Sequence, residues 1–298
     1  MLSTSSPQMR LQYLASISCI VAAILWGVLW YPLRLLEAMG FHGLWSALLL
    51  YCSAIFFIII PCWQKRSVFL ENKIEYVLLS LFAGWTNLAF ILAMLEGEVV
   101  RVLLLFYLSP IWAILMAIFI LGERLTLTNA IALIIAMLGA ILMLWQTDLD
   151  YMVLMSRADL FAISSGLAFA MTNIVVRKIG DVPLQLKMGS AWLGVIVLTL
   201  LGLFIVEVPR PPITIQSGLL VFLLGFPFMF VMTWTAQYGV THLPIQRSSI
   251  LFLMEIVAGA VSAALLTNEI VQKNEYFGGV LIIAAGLMSV LKSDNTRD

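Results

Sequence analysis

Residues 101–125 read RVLLLFYLSPIWAILMAIFILGERL and residues 247–271 read RSSILFLMEIVAGAVSAALLTNEIV. Laid on one another at a constant offset of 146, Arg101 falls on Arg247 and Glu123 on Glu269, so in both an Arg opens an apolar helix that closes at a Glu 22 residues later. A second match, at an offset of 143, puts Arg34 on Arg177. Chance likeness among Leu-rich helices is the competing explanation, but here charged residues coincide as well as apolar ones. The two halves are residues 1–150 and 151–298, with five spans expected in each. Because five is odd, the second half must enter a bilayer from the opposite side, which makes an inverted-topology repeat. Secondary transporters are built this way, with sites near the midplane between repeats.

The rest of the chain is of the same kind. A bilayer-spanning helix needs about 20 mainly apolar residues, and ten such runs can be read: 14–36, 44–62, 74–95, 100–121, 127–146, 158–177, 188–207, 216–239, 243–266 and 274–291. The expected fold is an all-α integral membrane protein of ten helices. Of 298 residues 62% are hydrophobic and 11% charged, with 16 Lys plus Arg against 16 Asp plus Glu. Soluble domains carry roughly 45–50% apolar and about 25% charged residues, so a soluble protein is excluded. A disordered chain and a nucleic-acid binder with a basic face are excluded as well. The first run is longer than a signal-peptide core and is followed by nine more, so it reads as an uncleaved span. With the N-terminus cytoplasmic, eleven Lys and Arg fall at inside ends and five at outside ends (Arg34, Arg101, Arg157, Arg210 and Lys273). That bias places both termini in the cytoplasm; the expected location is the inner (plasma) membrane of a bacterium.

Other chemistries have little support. Cys19, Cys52 and Cys62 show no CxxC spacing and read as buried packing residues. His42 and His242 are far apart, so no metal site can be assembled. Neither a GxxxxGK[ST] loop nor a GxSxG elbow occurs.

Trp26-Gly27 in the first span, Pro110 followed by Gly122-Glu123-Arg124-Leu125 in the fourth, and Glu255 followed by Asn268-Glu269 in the ninth form an ordered series. This series resembles the drug/metabolite transporter superfamily, and within it the EamA-type carriers of ten spans, over nearly the whole chain. The resemblance implies a gradient-driven exporter or exchanger of small metabolites, often amino acids, without a bound cofactor. It also implies a central cavity walled by spans 1, 3, 4, 6, 8 and 9. Ile256 stands where the family pattern has Pro, and Asn268 where Gly is usual, which puts the expected kink in the ninth span in question.

Glu255 is the leading candidate for a binding group. It lies at midplane depth, and a charge at the centre of a membrane helix costs roughly 2.5–3.5 kcal/mol unless it faces a cavity or partner. It suits a substrate ammonium or a proton. The turn Leu95-Glu96-Gly97-Glu98-Val99-Val100-Arg101 carries three charges; there Arg101 could grip a carboxylate with Glu96 or Glu98 as its resting partner, forming a gate, and Arg247 would be the matching feature on the other side. Trp26, Trp30, Trp85, Tyr107 and Trp234 are candidates for an aromatic rim or cation–π seat, the competing use being an interfacial belt. Asn87, Asn173 and Gln237 are candidate cavity residues that serve equally well as interhelical glue. Arg34 and Arg177 read as snorkelling side chains, Glu123 and Glu269 as helix-end markers. Gly139, Gly278-Gly279 and Gly286 give spans five and ten small-residue faces for packing or for a dimer.

The expectation is therefore a secondary active transporter of a small polar or zwitterionic metabolite such as an amino acid, working by alternating access, with protons as a candidate coupling ion. It would act as a monomer or homodimer, with neither metal nor cofactor and with no nucleic-acid partner. The rival is a passive channel or lipid-handling protein, since inverted repeats occur there too. An enzyme is disfavoured for want of paired carboxylates or a nucleophile and base at midplane.

Overall fold

The computed structural model describes residues 7–145, 155–267 and 272–291. Asn268, Glu269 and the C-terminal Lys292 and Arg297 lie outside the described residues. The helices are α1 (Pro7–Ala38), α2 (Gly43–Phe56), α3 (Lys73–Glu96), α4 (Val99–Leu121), α5 (Leu127–Leu144), α6 (Arg157–Ile179), α7 (Leu184–Val206), α8 (Ile215–His242), α9 (Ile245–Leu266) and α10 (Lys273–Leu291). Among the described residues all but α2, nine helices, are long and apolar enough to cross a membrane. Large apolar side chains stay exposed on their outer faces, Phe119, Phe204 and Leu265 among them, as expected where the surrounding solvent is hydrocarbon.

The second expected span, 44–62, is not one helix. It stops at Phe56 after 14 residues and resumes as Ile59–Gln64, with a short helix Arg66–Glu71 beyond. Pro61 supplies the cause: it lacks an N–H and its ring collides with the carbonyl four residues earlier. At the break the amides of Phe57 and Ile58 turn back to Ala54 and Ile55 instead.

Two other helices are interrupted at matching places. α4 is helical over Val99–Phe106, breaks at Tyr107-Leu108, and restarts at Ser109 with Pro110 in the new first turn, where its missing donor costs nothing. α9 is helical over Ile245–Phe252, breaks at Leu253 and restarts at Met254. α9 is thus interrupted without the proline, by a tight turn in which Leu253 bonds back to Ile250 and Ile256 to Leu253 while Leu253 keeps right-handed helical dihedrals.

α3 lies between α6 and α7, α1 packs on α8 and α9, α4 on α6, α2 on α7, and α5 on α10. The α5–α10 contact needs glycine. A Cβ on Gly139 would run into the Gly278 carbonyl, and one on Gly278 into the Gly139 carbonyl. This small-residue face is therefore spent within the chain.

Polar side chains tie the two ends. At one end the Arg101 guanidinium donates to both carboxylate oxygens of Asp159, each at 2.8 Å, and joins the starts of α4 and α6. Ser156 and Asp159 form a capping box there. At the opposite end Glu123 accepts the Ile245 amide at 3.0 Å and pairs with Arg177 at 3.6 Å. It thereby joins the ends of α4 and α6 to the start of α9, so α4 and α9 run antiparallel. Arg177 also donates to the Thr241 carbonyl. Lys187, fully buried, donates to the carbonyls of Val176 and Gly180 and to the Thr241 hydroxyl, closing the end of α6. Burial pushes the Glu123 carboxyl above the usual glutamate range, against the opposing pull of the Ile245 amide and Arg177.

Candidate functional site

A narrow cleft, open at its mouth, lies between α4, α6 and α9, at the level where α4 and α9 are broken. The breaks decide its composition. At each, the chain turns out of its helical path, and the side chains flanking the turn (Phe106, Tyr107 and Ser109 from α4; Phe252 and Glu255 from α9) face the space between the helices. Glu255 is ten residues from the start of α9, about 15 Å at roughly 1.5 Å per residue, close to the middle of a hydrocarbon core about 30 Å thick. It sits in the first turn of the restarted segment, where the helix dipole favours a carboxylate. The Tyr107 side chain lines the same space as the Glu255 carboxyl.

Opposite them α6 contributes Phe169 and Asn173. Ser109, Asn173 and Ser249 line the space, and their side chains form no hydrogen bond with other described residues. They offer hydroxyl and amide groups to a ligand. The aromatic wall extends one layer back, where Trp26 of α1 packs edge-on against Phe169 and Phe252, at centroid distances of 5.9 and 5.2 Å, while Phe106 meets Phe169 at 5.7 Å. The offsets of the repeat relate these four rings in pairs: 26 plus 143 is 169, and 106 plus 146 is 252.

The structure thus brings together Glu255, Tyr107 and Asn173, with Trp26 behind them. The other expected cavity residues are elsewhere, because their helices turn those faces to a neighbour. Trp30 donates to Ser262 at 2.9 Å and ties α1 to α9. Asn87 accepts from Tyr51 at 3.1 Å and donates to the Ala83 carbonyl. Trp234 stacks on Phe230. Gln237 is buried in α8 away from the cavity lining. Of the six helices expected to wall the cavity, α4, α6 and α9 line it among the described residues.

The expected gate is also corrected. Arg101 pairs with Asp159, not with Glu96 or Glu98: Glu96 faces Arg157 at 3.9 Å and Glu98 is exposed at the start of α4. Asp159 lies in the first turn of α6, within reach of an Arg on the packed neighbour, whereas the carboxylates of the turn lie on the exposed side. Arg247 is buried, donating to Gln12 of α1 and the Val290 carbonyl of α10. Arg177 is bonded to Glu123 and Thr241 rather than snorkelling, while Arg34 rests over the Trp30 ring at 5.9 Å. Of the cysteines only Cys19 is buried; Cys52 is exposed and Cys62 half-buried. The sequence reading passed over Asp159, Lys187 and the two cavity serines. The spacing of Ser156 and Asp159 was a visible capping-box signal for the first of these.

The profile of the EamA-like transporter family matches residues 14–145 and 156–291. The chain belongs to the EamA-like transporter family. As an EamA-like transporter it is a multi-pass membrane protein that moves small molecules. A protein described as an uncharacterized transporter from Archaeoglobus fulgidus is 25% identical over 218 residues, 71% of this chain and 74% of the relative. A crystal structure with 16% sequence identity superposes with a TM-score of 0.77, covering 92% of this chain and 96% of that one, and it shares the fold of this EamA-like transporter.

Proposed function

We propose that this EamA-like transporter is a secondary active exporter or exchanger of a small polar or zwitterionic metabolite bearing an amino group, a class that runs from amines to amino acids. It works by alternating access of two inverted five-helix repeats, 1–150 and 151–298, as ten spans with cytoplasmic termini in the bacterial inner membrane. The observation that carries this reading is the coincidence of the helix breaks: Val99–Phe106 and Ile245–Phe252 correspond residue for residue at the offset of 146, in helices that run antiparallel, and the cavity lies between the two breaks. The paired rings and the two family matches, one in each half, support it. Glu255 takes the substrate ammonium, or a proton when the substrate has left.

For the cavity to open at one end, α4 must part from α6 there, which requires Arg101 to release Asp159. Opening at the other end requires Glu123 to release Arg177 and the Ile245 amide. These two sets of bonds are the gates, and alternating access means that they break in turn.

The test uses a variant in which Cys19, Cys52 and Cys62 are replaced by alanine and Ser109→Cys reports on the cavity, labelled by a membrane-impermeant maleimide in vesicles of both orientations. Labelling is expected from both sides. Adding Gly97→Cys and Ala158→Cys, whose Cβ positions adjoin at the Arg101–Asp159 end, and oxidising that pair should stop labelling from the side of that gate and preserve it from the other. Labelling from a single side before the lock, or loss from both sides after it, overturns alternating access.

A further inference from the structure

The cavity has a pronounced chemical asymmetry. Its lining holds one carboxylate, Glu255, and among the described residues no Lys, Arg or His. Arg101, the cation that sequence reasoning assigned to a substrate carboxylate, is held by Asp159 at the start of α6. Helix N-termini could serve as anion sites instead, and two restarted helices begin at this level. The amides of Tyr107, Leu108, Ile111 and Trp112 bond to main-chain carbonyls across the α4 break, those of Leu253 and Ile256 do so across the α9 break, and Pro110 has none. The positive end of the second segment is occupied by Glu255 itself.

We infer that the cavity selects an organic monocation, a protonated amine on a small apolar or aromatic body, and discriminates against the same body carrying a carboxylate. This rests on the cavity being the transport site. Glu255 balances the ammonium; the faces of Phe106, Phe169 and Phe252 stabilise a neighbouring cation through their ring quadrupoles; the hydroxyls of Ser109 and Ser249 and the Asn173 amide replace water around its N–H groups. A carboxylate brought into the same space meets Glu255 with no cation to offset it, and a buried unpaired charge is strongly disfavoured. Amino acids therefore enter as the weaker ligands, and amines are the preferred ones.

The experiment compares three ligands that share one phenyl body, 2-phenylethylamine, L-phenylalanine and 3-phenylpropionate, by calorimetric titration into the full-length protein in detergent. The amine should bind saturably, the amino acid about tenfold or more weaker, and the acid not at all. Glu255→Gln should lose amine binding. Glu255→Asp, which keeps the carboxylate on a shorter stem, should keep part of it and so separates loss of charge from loss of fold. Binding of the amino acid as tight as the amine, binding of the acid, unchanged amine binding in Glu255→Gln, or no amine binding at millimolar concentration overturns the inference. The cysteine experiment fails separately. Amine-selective binding without two-sided labelling leaves this assignment and removes the carrier; two-sided labelling with amino-acid-preferred binding does the reverse.

Discussion

The Arg101–Asp159 pair invites a double-mutant cycle, because its geometry yields a coupling energy large enough to tell a structural lock from a surface ion pair. Asp159 accepts two guanidinium N–H groups at 2.8 Å and the Ser156 amide at 2.8 Å, with its side chain 3% exposed and that of Arg101 22% exposed. Hydrogen bonds to charged groups contribute about 1.5–3 kcal/mol each. Because the guanidinium retains some access to solvent and can rehydrate once its partner is gone, two such bonds should couple by about 2–3 kcal/mol, below their simple sum. Exposed pairs give less than about 1 kcal/mol, and neutral hydrogen bonds between membrane helices average about 0.6 kcal/mol. Unfolding in mixed micelles would be followed for Arg101→Ala, Asp159→Ala and the double variant. Each single variant should lose about 3 kcal/mol, and the double variant scarcely more than either. Arg101→Lys, which keeps the charge and loses the bidentate fork, should fall near halfway. Additivity within about 0.5 kcal/mol would refute the reasoning, since it would mean that the two side chains do not hold α4 to α6.

Lys187→Met removes three hydrogen bonds and leaves the Val176 and Gly180 carbonyls buried without their donor; a loss of about 2–4 kcal/mol is expected, read from the same unfolding assay, and a change below about 0.5 kcal/mol would contradict the burial. Glu123 gives a pH dependence of definite sign. Its folded pKa lies above the ordinary value because of burial, so folding takes up a proton, and the wild type should lose stability relative to Glu123→Gln as pH rises from the ordinary glutamate value through the raised one; a relative gain over that window, in melting curves of the two proteins, would show the shift to be downward. Gly278→Ala places a methyl group against the Gly139 backbone and should cost about 1–3 kcal/mol, whereas Gly286→Ala, whose added carbon meets side-chain atoms at ordinary van der Waals distances of 3.6 and 3.8 Å, should be near neutral in the same melting assay.

The parts of this molecule that could be read from the chain are those that depend on local or periodic pattern. The length and apolarity of α1, α3 and α4–α10 follow from run length, and the place of Glu255 along α9 follows from counting residues along one helix. The offset of 146, found from Arg101 and Glu123, is the same offset at which the helix breaks recur. What could not be read depends on which face a helix turns to its neighbour. Asn87 and Asn173 are both mid-helix amides, yet one faces Tyr51 and the other the cavity. In sequence Asp159 is an ordinary acidic residue in a first helical turn; only the packing of α4 on α6 brings Arg101 to it. Lys187 sits near a helix start, where solvent exposure is the default expectation, and is buried because the end of α6 folds over it. The interruption of α2 was signalled by Pro61, but a run of apolar residues on both sides concealed it.

The most direct test of the central claim is solute counterflow in proteoliposomes: vesicles loaded with unlabelled 2-phenylethylamine, diluted into a trace of the labelled amine, with wild type and Glu255→Gln reconstituted side by side. A carrier whose cavity is read by Glu255 produces a transient, saturable overshoot of label in the wild type and none in the variant. Equal overshoot in Glu255→Gln would remove Glu255 from the transport site, and a wild type that only equilibrates, without saturation or overshoot, would show a channel.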